Sequence, residues 1–455
     1  MFNAYRVIHF VGIGGIGMSG IAEVLHNLGY EVTGSDIKES DTTQRLRQLG
    51  IKIHIGHHEN NIDDAHVVVI SSAVSPSNPE VVAARLRLTP VIPRAEMLAE
   101  LARLKYSILV AGAHGKTTTT SLVATVVSEG GLDPTVVIGG KLKSMGSNAK
   151  LGQGDYLVAE ADESDGSFLK LNPTIAVITN IDREHMDYFK EMGALKNAFL
   201  EFINKVPFYG VAVVCIENSY VRELLPSISR KVITYGLTDE ADIYAADIKN
   251  DGVKTSFNVF RRGDFIGRFS VTVPGRHNVL NSLAAIAVGL ELKLSVACIS
   301  SALEGFSGIH RRFEFKGEVK GIKVYDDYGH HPSEIQATLK AAKECFSSNR
   351  ICVLFQPHRY TRTRDLMNDF AESFNDADSI FVMDIYAAGE KPIEGINSAE
   401  LAEMIASRCV KDVTHISARS EIIDRLCCTL KGGDVLLTLG AGDVYRAGEE
   451  ILTRL

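Results

Sequence analysis

The sequence lacks any apolar run approaching the ~18 residues that a membrane span needs. Its opening, "MFNAYRVIHFVGI", enters a strand-like run at once, without the basic segment, long apolar core and cleavage site of a secretory leader. It also lacks paired cysteines. There are seven, an odd number, scattered except for adjacent Cys427–Cys428, and no C-x-x-C occurs. That argues against a disulfide framework and predicts reduced thiols in a cytoplasmic protein. A positive balance is missing too: the net charge is −8, which gives no support to a nucleic-acid binder or an anionic-membrane binder. No short repeat or low-complexity tract interrupts the chain. What remains is an ordinary globular composition, 45% hydrophobic and 23% charged. Its 455 residues leave room for three domains of ~150 residues each.

Strand-like and helix-like segments alternate along the whole chain. "RVIHFVGI", "EVTGSD", "IKIHIG" and "HVVVISSAV" read as strands, and residues 17–28 carry Ile21, Ala22, Leu25 and Leu28 at helical spacing. "SPSNPE" is turn chemistry at a strand end. After Pro90, Pro93 and a helix-like "RAEMLAELARL", a second region opens with "SILVA" and continues through "YLVAE", "IAVIT" and "VAVVC", runs suited to buried strands. "KTSFNVFRRGDFIGRFSVTV" predicts a hairpin around Arg262-Gly263-Asp264, followed by a helix from about Val279 to Leu290. Beyond "GIHRRFE" a third alternation begins with "KVYDDY", a helix over 333–346 and "ICVLFQ". Helices over 363–374, 398–408, 420–430 and 443–453 are interleaved there with "SIFVMDI" and "DVLLTLG". The expected fold is α/β, with three domains in series at residues 1–104, 105–309 and 310–455.

Two glycine loops stand out. In "FVGIGGIGMSG", Gly12, Gly14 and Gly17 match G-x-G-x-x-G between a strand and a helix, with Asp36 about 20 residues on. This is pyrophosphate geometry and alone would suit an NAD-dependent oxidoreductase. In "SILVAGAHGKTTTTSLVATVV", the loop Gly112-Ala113-His114-Gly115 leads from a strand to Lys116-Thr117 and a helix. The first position of the full P-loop pattern falls on Val110, but the shorter G-x-x-G-K-[ST] fits. Glycines let backbone N–H groups turn around phosphate oxygens. The helix start adds up to ~2 kcal/mol, too little for a triphosphate alone. Lys116 supplies a full charge, and Thr117 a hydroxyl for Mg²⁺.

Polar clusters follow several strands. "LVAEADESDGSF" places Glu160 at a strand end, with Asp162, Glu163 and Asp165 beyond it, suited to Mg²⁺. "IAVITNIDREHMDYF" gathers Asn180, Asp182, Glu184, His185 and Asp187. There His185 can ligate a cation or orient a carboxylate. Asn278 and Asn281 share one helical face and can cap the helix or read an adenine edge. Arg311 and Arg312 offer a phosphate clamp or a solvated pair. "YDDYGHHPSEI" and "FQPHRYTRTRDL" load two strand-end loops with Asp326, Asp327, Tyr328, His330, His331, His358, Arg359, Tyr360, Arg362 and Arg364.

Taken together, "GIGGIGMSG", "GAHGKTT", "EADESDGSF", "HMD", "GRHNVLN", "RRFE", "DDYGHHP" and "QPHRYTRT" resemble the Mur ligase family over the whole length and in motif order. The family adds amino acids to a UDP-linked muramic acid in bacterial cell-wall synthesis. "DDYGHHP" and the N-terminal loop discriminate most among its members and point to the one that joins L-alanine to UDP-N-acetylmuramate. The rival member joins a preformed tripeptide. The resemblance implies that the first and third domains are Rossmann-like and the central one a P-loop ATPase domain with a mixed sheet, that ATP phosphorylates the muramate carboxylate, and that the alanine amine attacks the acyl phosphate. The first domain would bind the UDP-substrate through Gly12, Gly14, Gly15 and Gly17, with Asp36 nearby. ATP would lie on Gly112, Ala113, His114, Gly115, Lys116, Thr117 and Thr118, with Asn278 and Asn281 at adenine and Arg312 and Asp327 reaching it from elsewhere. Thr117 and Glu160 would hold one Mg²⁺ and His185 another. His330, Arg359 and Arg362 would hold the alanine carboxylate or the acyl phosphate, in a mobile third domain. Catalytic roles fall to Lys116, His185, Arg312, His330 and Arg359.

The chain departs from the family pattern in three places. Ala113 stands where Thr is usual, Glu184 where Asp commonly precedes the His, and Phe199 where sister ligases place a carbamylated lysine. A monomer or a homodimer is expected. An oxidoreductase would leave the P-loop and the acidic clusters unexplained. A non-enzymatic nucleotide switch would leave the polar loops of the third region unexplained.

Overall fold

The computed structural model describes residues 5–71, 73–143, 147–409 and 412–455, with the backbone alone at Lys141 and Asp187. Residues 1–4, Ser72 within the expected strand "HVVVISSAV", and the Asp187 side chain lie outside the described residues. The chain forms two compact units. One holds Met1–Ala246, Asn258–Phe269 and Leu280–Ser307, and the other Asp247–Phe257, Ser270–Val279 and Gly308–Leu455.

Three sheets organise it. The first is fully parallel, in the order Lys52–Ile55, Glu31–Asp36, Val7–Val11, Val67–Ile70, Val91–Pro93. The order reverses beside Val7–Val11, which places the first glycine loop at the topological switch point, where doubly wound sheets bind ligands. The expected strand over 66–74 is shorter, Val67–Ile70, because its apolar run ends at Ser71.

The second sheet has ten strands. Its centre is Ile175–Ile178, Tyr106–Ala111 and Tyr156–Glu160, all parallel. Burial on both faces explains their unbroken apolar runs. Leu109, Val110, Ala176 and Val177 are each 0% exposed. The expected hairpin is present as neighbouring strands Lys254–Arg261 and Asp264–Val271. Arg262 and Gly263 take positive φ of 51° and 92° at the turn, as a two-residue hairpin loop requires. The strand pair Thr135–Leu142 and Ser147–Lys150 was not legible: Gly139, Gly140 and the polar "SNAK" hide it.

The third sheet lies within the second unit. Glu314–Val319 pairs antiparallel with Ile322–Asp327, and Val435–Leu439, Ile351–Phe355, Ser379–Val382 and Asp412–His415 follow in parallel. The helix expected over 363–374 is instead two short ones, Tyr360–Asp365 and Met367–Ala371, broken where Leu366 leaves helical geometry at φ −119°, ψ 19°. Among the described residues no helix is long and apolar enough to cross a membrane.

Candidate active site

The first glycine loop is held from behind by the end of the adjacent strand. The Ser35 carbonyl accepts the Gly12 and Ile13 N–H groups at 2.8 and 3.0 Å. The Asp36 carboxylate accepts the Gly14 N–H at 2.8 Å. Gly12 has φ +79°, a conformation that favours glycine. Gly15 is the N-cap of helix Ile16–Asn27 and offers no side chain there. A methyl at Gly17 would meet Arg94 Nη1 at 2.7 Å. Arg94, which the sequence reading passed over, also donates to Asp162 Oδ2 at 3.1 Å. A guanidinium therefore stands at the opening of the glycine loop, where an anion would bind.

The second loop is built more tightly. Gly112, at φ +141°, leaves no space for a Cβ, which would stand 2.1 Å from Thr179 Oγ1. "ITN" of the neighbouring strand end clamps the loop. Thr179 Oγ1 and Asn180 Nδ2 donate to the His114 carbonyl at 2.6 and 3.0 Å, and the His114 N–H donates to Asn180 Oδ1 at 2.8 Å. The ring of His114 meets Asp182 Oδ2 at 2.9 Å. Ala113 contributes its N–H to the Asn180 carbonyl at 3.2 Å. Helix Lys116–Glu129 begins immediately after, with Gly115 left-handed at its N-cap and Thr117 and Thr118 buried in its first turn. Asn281 Oδ1 accepts from Thr119 Oγ1 at 3.0 Å, bringing that amide to the same helix start. Asn278 Nδ2 donates to the Pro274 carbonyl at 2.6 Å and fixes the turn ahead of its own helix.

Lys116 Nζ folds back over the loop. It lies 2.6 Å from the Gly112 carbonyl and 2.8 and 3.0 Å from the two oxygens of Glu163. Burial works against the ammonium, but Glu163 and Asp162 outweigh it and hold Lys116 above the ordinary lysine range. Glu163, Glu184 and His185 bring ligand atoms within 4.8 Å of one another. His185 Nε2 lies 3.8 Å from Glu163 and 3.7 Å from Glu184. His185 sits in the left-handed region at φ 57°, ψ 33°, a conformation that costs energy and is concentrated at functional sites. Two carboxylates and an imidazole beside a P-loop lysine fit a divalent cation. Of the metal residues expected from sequence, His185 joins this group. Glu160 stands opposite Val110 in the sheet and accepts from the Gly139 N–H at 2.7 Å. Phe199 packs in the core against Phe168, ring centroids 5.3 Å apart, with no polar role.

In the second unit, Asp327 ties two loops together. Its carboxylate accepts from the Phe313 and Gly329 N–H groups, both at 2.7 Å. Burial pushes its carboxyl up to about 6 despite Arg312. Arg312 lies over the Tyr328 ring at 5.3 Å and 3.7 Å from Glu334. Glu334, unnoticed in the sequence, accepts from the His330 N–H at 3.0 Å and completes a capping box with His331 at the start of helix Pro332–Cys345. Burial lowers His330 to about 3 and His358 to about 4, so both rings are neutral at pH 7, and His330 Nδ1–H donates to the Tyr328 carbonyl at 3.1 Å. His330, His358 and Tyr386 form a continuous ring contact, and Arg362 Nη1 lies 3.3 Å from His358 Nδ1. Arg359 has φ 73° and donates its N–H to the Tyr386 carbonyl. His330, Arg359 and Arg362 thus share one strand-end cluster.

A parallel sheet with a glycine loop at its switch point, followed by a P-loop backed by paired acids, defines a phosphate-binding α/β enzyme fold. Sequence comparison narrows the class. Residues 7–106 match the Mur ligase family catalytic domain, 110–289 the Mur ligase middle domain, and 311–442 the Mur ligase glutamate ligase domain. The chain belongs to the Mur ligase family. It is 57% identical over 452 residues to a UDP-N-acetylmuramate–L-alanine ligase of Desulfatibacillum aliphaticivorans, covering 99% of each chain. The crystal structure of UDP-N-acetylmuramate–alanine ligase from Thermotoga maritima is similar at TM-score 0.85 and 32% identity, over 98% of each chain. A murein peptide ligase from Psychrobacter arcticus is similar at TM-score 0.72 and 26% identity, again over 98% of each chain.

Proposed function

We propose that the protein joins L-alanine to the carboxylate of UDP-N-acetylmuramate, with ATP converted to ADP and phosphate, in peptidoglycan precursor synthesis. The observation that carries the reading is the P-loop lysine with Glu163, Glu184 and His185 gathered beside it, in a chain matched from end to end by L-alanine ligases. A muramate carboxylate oxygen takes the γ-phosphoryl group and ADP leaves. The alanine amine then attacks the acyl carbon, loses a proton, and expels phosphate as the amide forms. Both reactants of the first step are anionic, so cationic groups must neutralise the transferring phosphoryl.

On this reading residues 1–104 take the UDP-substrate on Gly12, Gly14, Gly15 and Gly17, with Asp36 and Arg94 beside the pyrophosphate. Residues 105–309 take ATP on Gly112–Thr118, with Asn278 and Asn281 at its adenine. Thr117 and Glu160 would hold one Mg²⁺ and His185, with Glu163 and Glu184 beside it, another; bound there, the ions would supply positive charge to the phosphates. Residues 310–455 contribute Arg312 and Asp327 toward ATP, and His330, Arg359 and Arg362 toward the carboxylate of alanine. The protein works in the cytoplasm, where ATP and the UDP-sugar are found, as a monomer or a homodimer.

Incubation with ATP, Mg²⁺, UDP-N-acetylmuramate and an amino-acid mixture, read by mass spectrometry, tests the proposal. The expected product is the UDP-sugar carrying one alanine. A preference for a tripeptide over alanine would overturn it in favour of the recycling reaction, which the full-length similarity to L-alanine ligases does not favour. Replacing Arg312 by Ala is expected to lower kcat about 10²-fold while the KM for the UDP-substrate holds. Equal loss of both would make Arg312 structural.

A further inference from the structure

Beneath the first glycine loop lies a charged cluster that the proposed reaction does not use. The "SPSNPE" turn ends in Pro79 and Glu80, which open helix Pro79–Leu86. Glu80 is 0% exposed, and both its oxygens are occupied. Oε2 accepts from Ser35 Oγ at 2.5 Å and lies 3.4 Å from His9 Nε2 and 3.5 Å from His57 Nδ1. Oε1 accepts from Asn61 Nδ2 at 2.5 Å and from the His58 N–H at 3.3 Å. His9 comes from the strand that leads into the glycine loop, and its other ring nitrogen bonds Thr33 at 2.8 Å. One carboxylate therefore joins two strands of the first sheet, the loop after a third, a 3-10 turn and a helix start.

Ser35 is the link to the loop. Its single hydroxyl proton goes to Glu80, so the 3.0 Å contact with His57 is donated by His57 Nδ1–H. Its carbonyl takes the N–H groups of Gly12 and Ile13. The next residue, Asp36, takes the N–H of Gly14. The position of Ser35 thus sets the backbone of the whole loop, and Glu80 sets the position of Ser35. A buried carboxylate is costly beside an apolar residue of similar size. Packing alone therefore gives no reason for one here, whereas holding four donors, from Ser35, His9, Asn61 and the His58 N–H, in fixed directions does.

We propose that Glu80 is a positioning residue for the UDP-substrate site, aligning the Gly12–Gly14 backbone through the Ser35 hydroxyl. The proposal rests on the reading that this loop binds the UDP moiety. Gln has the shape of Glu but turns an NH₂ group toward donors on one side of the cluster. Glu80→Gln is expected to raise the KM for UDP-N-acetylmuramate about tenfold or more, with kcat and the KM for ATP within about threefold of wild type. Ser35→Ala keeps the carboxylate and cuts the link, and should shift the same KM in the same direction. Should Glu80→Gln not fold, Ser35→Ala decides. An unchanged UDP-substrate KM in a folded variant overturns the proposal, as does a parallel fall in all kinetic parameters. Calorimetric titration with UDP separates the two readings. Failure of the wild type to bind UDP removes the functional reading, whereas equal binding by wild type and variants removes only the role of Glu80.

Discussion

Lys116→Ala will lower ATP-dependent turnover by about 10²–10³-fold, the usual consequence of removing one preorganised donor from a site where charge develops. Lys116 supplies a full positive charge at the P-loop. The loop amides and helix start offer partial charges worth up to ~2 kcal/mol together, which cannot balance a triphosphate. The same substitution changes the pH dependence of stability. Glu163 is nearly inaccessible and loses its 2.8 Å partner. Burial then raises its carboxyl with less to oppose it. A carboxyl whose folded pKa exceeds its unfolded value destabilises the fold above the unfolded pKa, and the penalty fades as pH falls and the group keeps its proton. The variant should therefore melt closer to wild type at pH 5 than at pH 8. Thermal melts followed by circular dichroism at both pH values check this, alongside steady-state kinetics. Activity within tenfold of wild type would refute the phosphate role.

The loops were legible because their chemistry is local. Gly112, Gly115 and Lys116 are set by backbone sterics and by one charge at a helix start, and a strand-loop-helix pattern announces both. The acids were legible only as clusters. "EADESD" and "DREHMD" identify strand ends, but not which carboxylate turns toward the lysine. Glu163 does, and Glu160 accepts from Gly139 across the neighbouring strand. Such choices depend on sheet order, which pairs strands far apart in sequence. Arg94 and Glu80 were missed for the same reason: the partners that define them, Asp162 and Ser35, lie dozens of residues away in sequence. Asn180 was read as a polar group at a strand end. Its amide clamps the His114 backbone, a role that became visible only once the strand Ile175–Ile178 lay beside Tyr106–Ala111. The break at Leu366 was likewise outside the reach of helical periodicity.

The adjacent arginines of "HRRFE" should separate completely on mutation. Arg311→Ala is expected to destabilise the second unit by about 3–5 kcal/mol, the range for leaving a buried charge without its partner. The Arg311 guanidinium donates to Asp326 Oδ2 at 2.9 Å and to the carbonyls of Gly440 and Gly442 at 2.5 and 2.9 Å. It lies over the rings of Tyr445 and Tyr328 at 4.6 and 5.1 Å. Asp326 is 0% exposed, and burial already raises its carboxyl against the pull of Arg311. Without the guanidinium, Asp326 is left with the Thr438 hydroxyl at 2.6 Å, and two carbonyls just beyond strand Val435–Leu439 lose a donor. Arg311→Lys should recover only part of the loss, because one ammonium cannot reproduce a planar fork serving three acceptors. Arg312 is more exposed than Arg311, stands 3.7 Å from Glu334 and lies over the Tyr328 ring, so its removal should cost about 1 kcal/mol of stability, well below the cost at Arg311. Denaturant titrations followed by tryptic digestion of the second unit measure the contrast. A midpoint unchanged in Arg311→Ala would show that Asp326 finds another partner. A large shift in Arg312→Ala would assign the structural role to the wrong arginine.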